Sequence, residues 1–172
     1  MKELIIMAGL PGSGKTYIRN KYFADYKAVD CDELKKTIKG YNPDQPRALH
    51  FESKIAEKYE IYNNLKNKVP FIYDTTATNT DKIIKLTKLA QALGYIVKII
   101  YVQVSLATAF RRNSKRHRVV PDEIIMDKYS KLEISLKILN KFADKVITIN
   151  NEKDEFNIII APIKFKQEAI SA

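Results

Sequence analysis

The chain has 172 residues, with 30 Lys or Arg against 20 Asp or Glu, so its formal net charge is +10. Hydrophobic residues make up 45% of it, with five Gly and six Pro, which excludes collagen-like and disordered classes and suits one domain, with or without a small appendage. No apolar run approaches the roughly 18 residues that cross a membrane, and the apolar stretch at the start of the chain is too short for a signal peptide. Cys31 is the single cysteine, which is typical of a reducing compartment. We therefore expect a cytoplasmic protein.

The first predicted elements are a strand, a tight loop and a helix. Glu3 to Ala8 is a short apolar run that predicts a buried strand. Residues 9–16 follow at once, read GLPGSGKT and satisfy G-x-x-x-x-G-K-[ST], and a segment without helix breakers comes next. Because this motif lies between a predicted strand and a predicted helix, it indicates a phosphate-binding loop, here called the phosphate loop.

The residues of the phosphate loop have expected parts in binding a nucleotide. Glycines let backbone N–H groups converge on phosphate oxygens, and the helix N-terminus adds partial positive charge. Lys15 is expected to reach the outer phosphates, and the Thr16 hydroxyl is expected to be a ligand of Mg²⁺. The predicted ATP-binding residues of this loop are Gly9, Pro11, Gly12, Ser13, Gly14, Lys15 and Thr16.

The second predicted strand, Lys27 to Asp30, leads into a short polar segment. Asp32 stands at the carboxyl end of this strand, where open α/β sheets bind ligands. Its carboxylate could accept the proton of an attacking hydroxyl, with Lys35 one helical turn later on the same side, or it could cap a helix ending at Gly40. Asp30 could orient the phosphate-loop lysine, a water molecule or the magnesium shell, or simply end the strand.

A long helix and a third strand come next. Apolar residues recur three to four positions apart over nearly twenty residues, which predicts an amphipathic helix with one apolar face: Leu49, Phe51, Ile55, Tyr59, Tyr62, Leu65 and Val69. The strand, Phe71 to Tyr73, ends at Asp74, which resembles a Walker-B position. Thr75 and Thr76 come next, and their hydroxyls are expected to point into the same cleft as Asp74. We interpret Asp74 and Thr75 as acceptor-binding residues, although a strand-ending Asp is also common in turns.

The second half of the chain continues the alternation of helices and strands. Asn79 and Ser105 are expected to cap two helices, Gly94 to end the first of them, and Pro121 to begin a third. The predicted strands are Tyr95 to Val104, Val146 to Ile149 and, at a sheet edge, Asn157 to Ile163. This order favours a parallel sheet covered by helices on both faces, in one α/β domain at 1–150 followed by a C-terminal extension at 151–172.

Half of the net charge lies in residues 111–118, RRNSKRHR, here called the basic run. It contains five Lys or Arg and no acidic residue, and it lies between two predicted helices. Such a segment can form a lid, at about 111–120, that closes the guanidinium groups of Arg112 and Arg116 onto phosphates. The alternatives are a solvated basic face and sequence-independent binding to a nucleic-acid backbone.

Together these motifs resemble the kinase domains of the bacteriophage polynucleotide 5′-hydroxyl kinase family over roughly residues 3–135. The matching blocks are GLPGSGKT after the first strand, DCDELK after the second, DTT after the third, and RNSKR followed by VVPDE after the fourth. The resemblance implies a P-loop NTPase kinase fold with five parallel strands in the order 2-3-1-4-5. It also implies transfer of the γ-phosphoryl group of ATP to the 5′-hydroxyl end of DNA or RNA.

The same resemblance implies roles for individual residues. It implies that Lys15 binds phosphate, that Thr16 is a magnesium ligand and that Asp32 is the general base. It also implies that Arg116 is the lid arginine, that Arg112 assists the nucleotide and that Asp74 lines the acceptor site. The chain departs from the family at two positions, because Lys35 stands where the family has an acceptor-binding Arg and Thr76 where it has Asn. The Lys35 ammonium is a point charge, whereas the guanidinium of Arg can donate two parallel hydrogen bonds, so the contact with the acceptor differs from that of the family.

Seryl-tRNA kinase and zeta-toxin-like kinases, which act on nucleotide sugars, share this architecture and overlapping motifs. Three hypotheses therefore stay open: a polynucleotide 5′-hydroxyl kinase, a kinase for an aminoacyl-tRNA, nucleotide sugar or other small hydroxyl acceptor, and a non-catalytic, nucleotide-dependent nucleic-acid-binding module. The net charge favours a polynucleotide, because neutralising several strand phosphates requires more cations than ATP alone does.

Overall fold

Five parallel strands lie in the order 2-3-1-4-5 in the computed structural model, which describes residues 2–45 and 48–153 and the backbone of residues 161 and 162. The strands are β1 (Glu3–Ala8), β2 (Lys27–Asp30), β3 (Phe71–Asp74), β4 (Ile96–Gln103) and β5 (Lys145–Asn150). A two-residue strand, β6 (Ala161–Pro162), pairs antiparallel with β5 at the edge. The rest of the strand predicted over 157–163 lies outside the described residues. The predicted fold class, a P-loop NTPase kinase fold, is confirmed.

Helices cover both faces of this sheet, as predicted. They are α1 (Lys15–Tyr22), α2 (Cys31–Lys36), α3 (His50–Lys66), α4 (Thr80–Ala92), α5 (Leu106–Ser114) and α6 (Asp122–Leu139). Apolar residues of α3, α4, α5 and α6 pack with one face, and Ile18 of α1 packs with the other. Within the described part of the chain, none of the helices combines the length and the apolar character needed to cross a membrane.

β1 lies at the centre of the sheet, between β3 and β4, and all six of its residues are buried. Successive side chains of a strand point to opposite faces, so Leu4 and Ile6 join the core on one face while Ile5 and Met7 join the core on the other. A strand buried on both faces needs a continuous apolar run. The sequence ELIIMA supplies that run, and the phosphate loop leaves the sheet at its carboxyl end.

Three of the predicted helix boundaries are confirmed by hydrogen bonds or backbone angles. The Asn79 side chain accepts a hydrogen bond from the N–H of Lys82 at 3.1 Å, and the Ser105 hydroxyl accepts one from the N–H of Thr108 at 3.1 Å. Gly94 adopts the left-handed conformation with φ 81°. The expected end of α2 at Gly40 was wrong, because α2 ends at Lys36.

The long helix α3 is present, but most of its apolar stripe faces solvent. Its exposed stripe comprises Phe51, Ile55, Tyr59 and Tyr62, which are 73%, 53%, 64% and 62% exposed. The opposite, polar side of the helix packs inward, where the Glu57 carboxylate lies 3.2 Å from the Lys54 ammonium and 2.8 Å from the Lys82 ammonium. Pairing with two cations offsets the cost of burying this carboxylate, so the face that contacts the core is not the most apolar one.

We expect substitutions on the two sides of α3 to differ in stability. Leu65→Ala should lower the free energy of unfolding by about 2–5 kcal/mol, because Leu65 belongs to the buried core. Tyr59→Ser should change it by about 0.5 kcal/mol or less, because the Tyr59 side chain is mostly exposed. Urea unfolding followed by circular dichroism measures both, and equal losses would contradict this orientation of α3.

Candidate active site

The phosphate loop lies where β1 meets α1, and all three of its glycines have neighbours closer than 3.0 Å to the place of a Cβ, which at Gly9 is the Val102 carbonyl oxygen at 2.6 Å. Gly12 has φ 84°, and a Cβ on it would lie 2.5 Å from the carbonyl oxygen of Ala109 in α5. Gly14 has φ 90°, and a Cβ on it would lie 2.4 Å from the Asn151 side-chain nitrogen. The loop therefore packs tightly against α5 on one side and against the segment after β5 on the other.

The start of α1 suits an anion. Gly14 occupies the N-cap without a side-chain cap, and the first turn contains no acidic residue. The first N–H groups of a helix lack intrahelical partners, so they are available to phosphate oxygens here. Thr16 lies exposed in this first turn, where its hydroxyl suits a magnesium ion bound together with phosphate. Within residues 2–45 and 48–153, no cluster of three His, Cys, Asp or Glu side chains could hold a metal ion by itself.

Lys15 is folded back onto the phosphate loop. Its ammonium donates hydrogen bonds to the carbonyl oxygens of Gly9 and Leu10, both at 2.9 Å. Burial lowers the pKa of Lys15, the negative charge of Asp74 raises it, and the positive charge of Arg116 lowers it. The predicted phosphate-binding lysine, the predicted acceptor carboxylate and the predicted lid arginine are thus electrostatic neighbours.

Arg19 is a site residue that the sequence reasoning missed. It follows Lys15 by one helical turn on α1, and it is 8% exposed. Its Nη1 atom donates to Asp30 Oδ2 at 3.1 Å and to Asp74 Oδ2 at 2.9 Å. Asp30 and Asp74 are register partners at the ends of β2 and β3, so this one guanidinium compensates two adjacent carboxylates. The spacing of four residues after the phosphate-loop lysine was the available signal.

The helix cap of α2 is Asp30, and the alternative that Asp32 caps this helix was wrong. Asp30 Oδ1 accepts hydrogen bonds from the N–H groups of Asp32 at 2.9 Å and Glu33 at 3.4 Å. The Asp32 side chain is 60% exposed, and its Oδ1 accepts a hydrogen bond from Arg118 Nη1 at 3.1 Å. Asp32 is therefore turned toward the basic run, and its role as a base stays a prediction.

Asp74 lies at the end of β3, with a side chain only 6% exposed. Burial raises the pKa of its carboxyl group, the charges of Lys15 and Arg19 lower that pKa, and the charge of Asp30 raises it. Next in the chain, the Thr75 N–H donates to the Met7 carbonyl oxygen at 3.2 Å, which holds Thr75 beside the end of β1. Asp74 and Thr75 thus lie at the carboxyl edge of the sheet, as predicted.

Lys35 does not share a surface with Asp32. Lys35 is 2% exposed, whereas Asp32 is exposed to solvent. The expectation that the two side chains face one acceptor rested on their spacing of three residues in α2. Different burial argues against a shared surface, and the role of Lys35 in acceptor binding stays a prediction.

The two arginines expected to assist the nucleotide differ in their surroundings. Arg112 donates to the carbonyl oxygens of Asn151 at 2.8 Å and Glu152 at 3.4 Å. The Asn151 side chain in turn donates to the carbonyl oxygen of Ser13 in the phosphate loop at 2.7 Å. Arg112 is thus linked to the phosphate loop through the segment after β5, whereas Arg116 is exposed and follows α5.

Asn113 fixes the two ends of the predicted lid, and the sequence reasoning did not single it out. It is 1% exposed at the end of α5. Its side-chain nitrogen donates to the Val120 carbonyl oxygen at 2.7 Å, and its side-chain oxygen accepts from the Val120 N–H at 3.1 Å. Residues 111–114 of the predicted lid lie in α5 and not between two helices, and residues 115–119, which carry Arg116 and Arg118, form a loop that is closed at its base.

A protein-family model described as "AAA domain" matches residues 4–133, about three quarters of the chain. Solved structures with the same fold include AvrRxo1-ORF1:-ORF2 with ATP, at TM-score 0.69 and 14% identity over 87% of this chain and 55% of the matched chain. The Pnkp1/Rnl/Hen1 RNA repair complex matches at TM-score 0.65 and 15% identity, over 98% of this chain and 50% of the other. A gluconokinase from Sinorhizobium meliloti 1021 matches at TM-score 0.57 and 15% identity, over 88% of this chain and 84% of the other.

These similarities concern the fold. This chain spans about half the length of the matched chains in the AvrRxo1 and RNA repair structures, and most of the length of the gluconokinase. Identities of 14–16% among the matched structures support a common architecture of strands, phosphate loop and helices.

Proposed function

The chain belongs to the family of AAA domains, and we propose that it is an ATP-dependent kinase that transfers the γ-phosphoryl group of ATP to the 5′-hydroxyl end of DNA or RNA. The contact between Asp32 and Arg118 carries this proposal, because it joins a carboxylate in the first turn of α2 to the basic run. A base for the acceptor and cations for the transferred phosphoryl group are thereby available on one side of the sheet.

The donor side of the reaction is supported by the phosphate loop. Its glycines and the uncapped start of α1 offer N–H groups to the phosphates of ATP. Lys15 would exchange its two carbonyl contacts for phosphate oxygens, and Arg116 would approach the same phosphates when the lid closes. Mg²⁺ bound with ATP would neutralise phosphate charge, with the Thr16 hydroxyl as its protein ligand.

The acceptor side is supported by Asp32. Its exposed carboxylate would accept the proton of the 5′-hydroxyl, whose oxygen forms a bond to the γ-phosphorus. The bond from that phosphorus to the β,γ-bridging oxygen breaks, and ADP leaves. Lys15 and Arg116 would stabilise the charge that develops on the phosphoryl oxygens and on the leaving group.

The choice of a polynucleotide acceptor is supported by charge. The five cations of the basic run exceed the number that a nucleotide needs, and the rest of the chain keeps a surplus of 25 basic over 20 acidic residues. One matched fold occurs in a complex described as an RNA repair complex. A small hydroxyl acceptor is the second candidate, favoured by the match to 84% of a gluconokinase.

An acceptor comparison tests this choice. ADP release is measured with a 5′-hydroxyl oligonucleotide, with gluconate, with a nucleotide sugar and with seryl-tRNA, each at several salt concentrations. We expect the oligonucleotide to give the highest kcat/KM, with a steep decrease as salt rises. Salt-independent turnover of gluconate or the nucleotide sugar would contradict a polynucleotide acceptor, and ATP binding without turnover would indicate a binding module.

We expect Arg116→Ala to reduce kcat by about 10²-fold or more, because a lid arginine stabilises charge in the transition state. Lys115→Ala is the matched control, since it removes the neighbouring positive charge of the basic run without removing the proposed lid arginine. Steady-state kinetics of both variants are compared. A loss confined to the oligonucleotide KM and its salt dependence, equal in the two variants, would instead make the basic run a strand-binding patch.

A further inference from the structure

Arg19 joins three elements of the candidate active site. It extends from α1, the helix that begins with Lys15 and Thr16, to the ends of β2 and β3. One nitrogen, Nη1, makes both contacts, at 3.1 Å to Asp30 and 2.9 Å to Asp74. All three side chains are largely buried, with 9%, 18% and 6% of Arg19, Asp30 and Asp74 exposed, so solvent screens these contacts little.

The contact with Asp30 continues into α2. The Asp30 oxygen that does not bind Arg19 accepts hydrogen bonds from the N–H groups of Asp32 and Glu33 at 2.9 and 3.4 Å. Both ends of the Asp30 carboxylate are thus engaged, one by Arg19 and one by the backbone of α2. A change in the position of the Arg19 guanidinium would therefore be passed through Asp30 to the backbone that carries Asp32.

We propose that Arg19 is a positioning residue, which holds the start of α2, and with it Asp32, at a fixed distance from the phosphate-binding start of α1. This inference rests on the proposed kinase function. Phosphoryl transfer requires the acceptor oxygen within about 3–3.5 Å of the phosphorus, so the base and the phosphate loop must keep a defined separation. The link from α1 to α2 consists of the Arg19 side chain, the Asp30 carboxylate and the backbone N–H groups of α2, joined by hydrogen bonds.

A structural role alone would give Arg19 a different signature. A buried ion pair that only stabilises the fold would, when broken, lower thermal stability without changing turnover in the molecules that remain folded. A positioning residue changes kcat more than the KM for ATP, because the phosphate loop remains while the acceptor side shifts. A lysine at this position, which restores a positive charge beside Asp30 and Asp74, should also restore turnover.

The test compares Arg19→Met, Arg19→Lys and the control Ile18→Val at a temperature at which all are folded. Ile18 is buried on the same helix among apolar side chains, and its own side chain has no polar atom that could bond to Asp30 or Asp74. We expect Arg19→Met to lower kcat about 10²-fold with the KM for ATP within about twofold of the unchanged protein. Arg19→Lys should recover at least tenfold of that loss, and Ile18→Val should keep the original kcat. A loss in Arg19→Met no larger than in Ile18→Val would overturn the proposal.

Amide hydrogen exchange gives a second readout that needs no turnover. In Arg19→Met the N–H groups of Asp32 and Glu33 should exchange at least tenfold faster, whereas in Ile18→Val they should keep their protection. Unchanged exchange in Arg19→Met would overturn the proposal. If the unchanged protein phosphorylates none of the acceptors, the kinase proposal fails, and the exchange rates still decide whether Arg19 holds α2.

If Arg19→Met does not fold, Asp30→Asn takes its place. Asparagine keeps an oxygen that can cap α2 and removes the charge that Arg19 contacts. We expect a fall in kcat of about tenfold or more at an unchanged KM for ATP. A kcat equal to that of the unchanged protein would show that the bridge does not position Asp32.

Discussion

Lys15→Ala is expected to reduce phosphoryl transfer at least about 10³-fold. Lys15 belongs to the phosphate loop, and its ammonium donates hydrogen bonds to the carbonyl oxygens of Gly9 and Leu10. Those two hydrogen bonds keep the ammonium beside the loop, where it could bond to phosphate oxygens when a nucleotide binds. Alanine removes this charge while leaving the backbone N–H groups in place.

The fold should survive this substitution, because the Lys15 ammonium bonds only to main-chain oxygens of its own loop in the described residues. Thermal unfolding and single-turnover kinetics are measured on Lys15→Ala and on Lys21→Ala. Lys21 lies on the same helix beside the rings of Tyr17 and Tyr22, away from the loop, so its loss should leave turnover unchanged. Turnover of Lys15→Ala within tenfold of the unchanged protein would refute the phosphate-binding site.

Asp32→Asn is expected to lower the single-turnover rate by about 10²–10⁴-fold at an unchanged affinity for ATP. An amide cannot accept the proton of the attacking hydroxyl, yet it has the same shape. Because Asp30 caps α2, replacing Asp32 should leave the helix intact, so a lower rate would not reflect a missing cap. Binding of a fluorescent ATP analogue and rapid-quench kinetics measure the two quantities.

Glu33→Gln is the matched control for Asp32→Asn. Glu33 is the next residue of α2, it is exposed, and it pairs with Lys36 on the surface. Its substitution should leave both ATP affinity and the single-turnover rate unchanged. If Asp32→Asn retains the rate of the unchanged protein, Asp32 is a surface partner of Arg118 and another group accepts the proton.

The phosphate loop and its surroundings could be predicted from the sequence because their signals are local. β1 has the predicted bounds, and GLPGSGKT stands between a strand and a helix as the motif requires. The fourth strand was also visible, since a nearly continuous run of Ile and Val is typical of a strand buried on both faces. In each of these cases the deciding residues are neighbours in the chain.

The features of the fold and of the candidate site that could not be predicted depend on contacts between residues far apart in the sequence. Arg19 meets partners 11 and 55 residues away, and Asp30 is the cap because β2 ends there and α2 begins at Cys31. Two Asp residues two positions apart give no local signal for which of them is the cap. Likewise, the periodicity of α3 predicts an apolar stripe, but burial of its polar side depends on Lys82, 25 residues after Glu57.

Incubation with γ-labelled ATP, Mg²⁺ and a 5′-hydroxyl oligonucleotide tests the proposed reaction most directly, beside the same oligonucleotide with a 5′-phosphate and the Asp32→Asn variant. Digestion of the product to nucleotides shows which oxygen carries the label. We expect label on the terminal 5′ oxygen of the 5′-hydroxyl strand alone, with the signal lost in Asp32→Asn. No label on either strand, with ATP bound normally, would contradict a polynucleotide 5′-hydroxyl kinase and shift the proposal to a tRNA-linked or small-molecule acceptor.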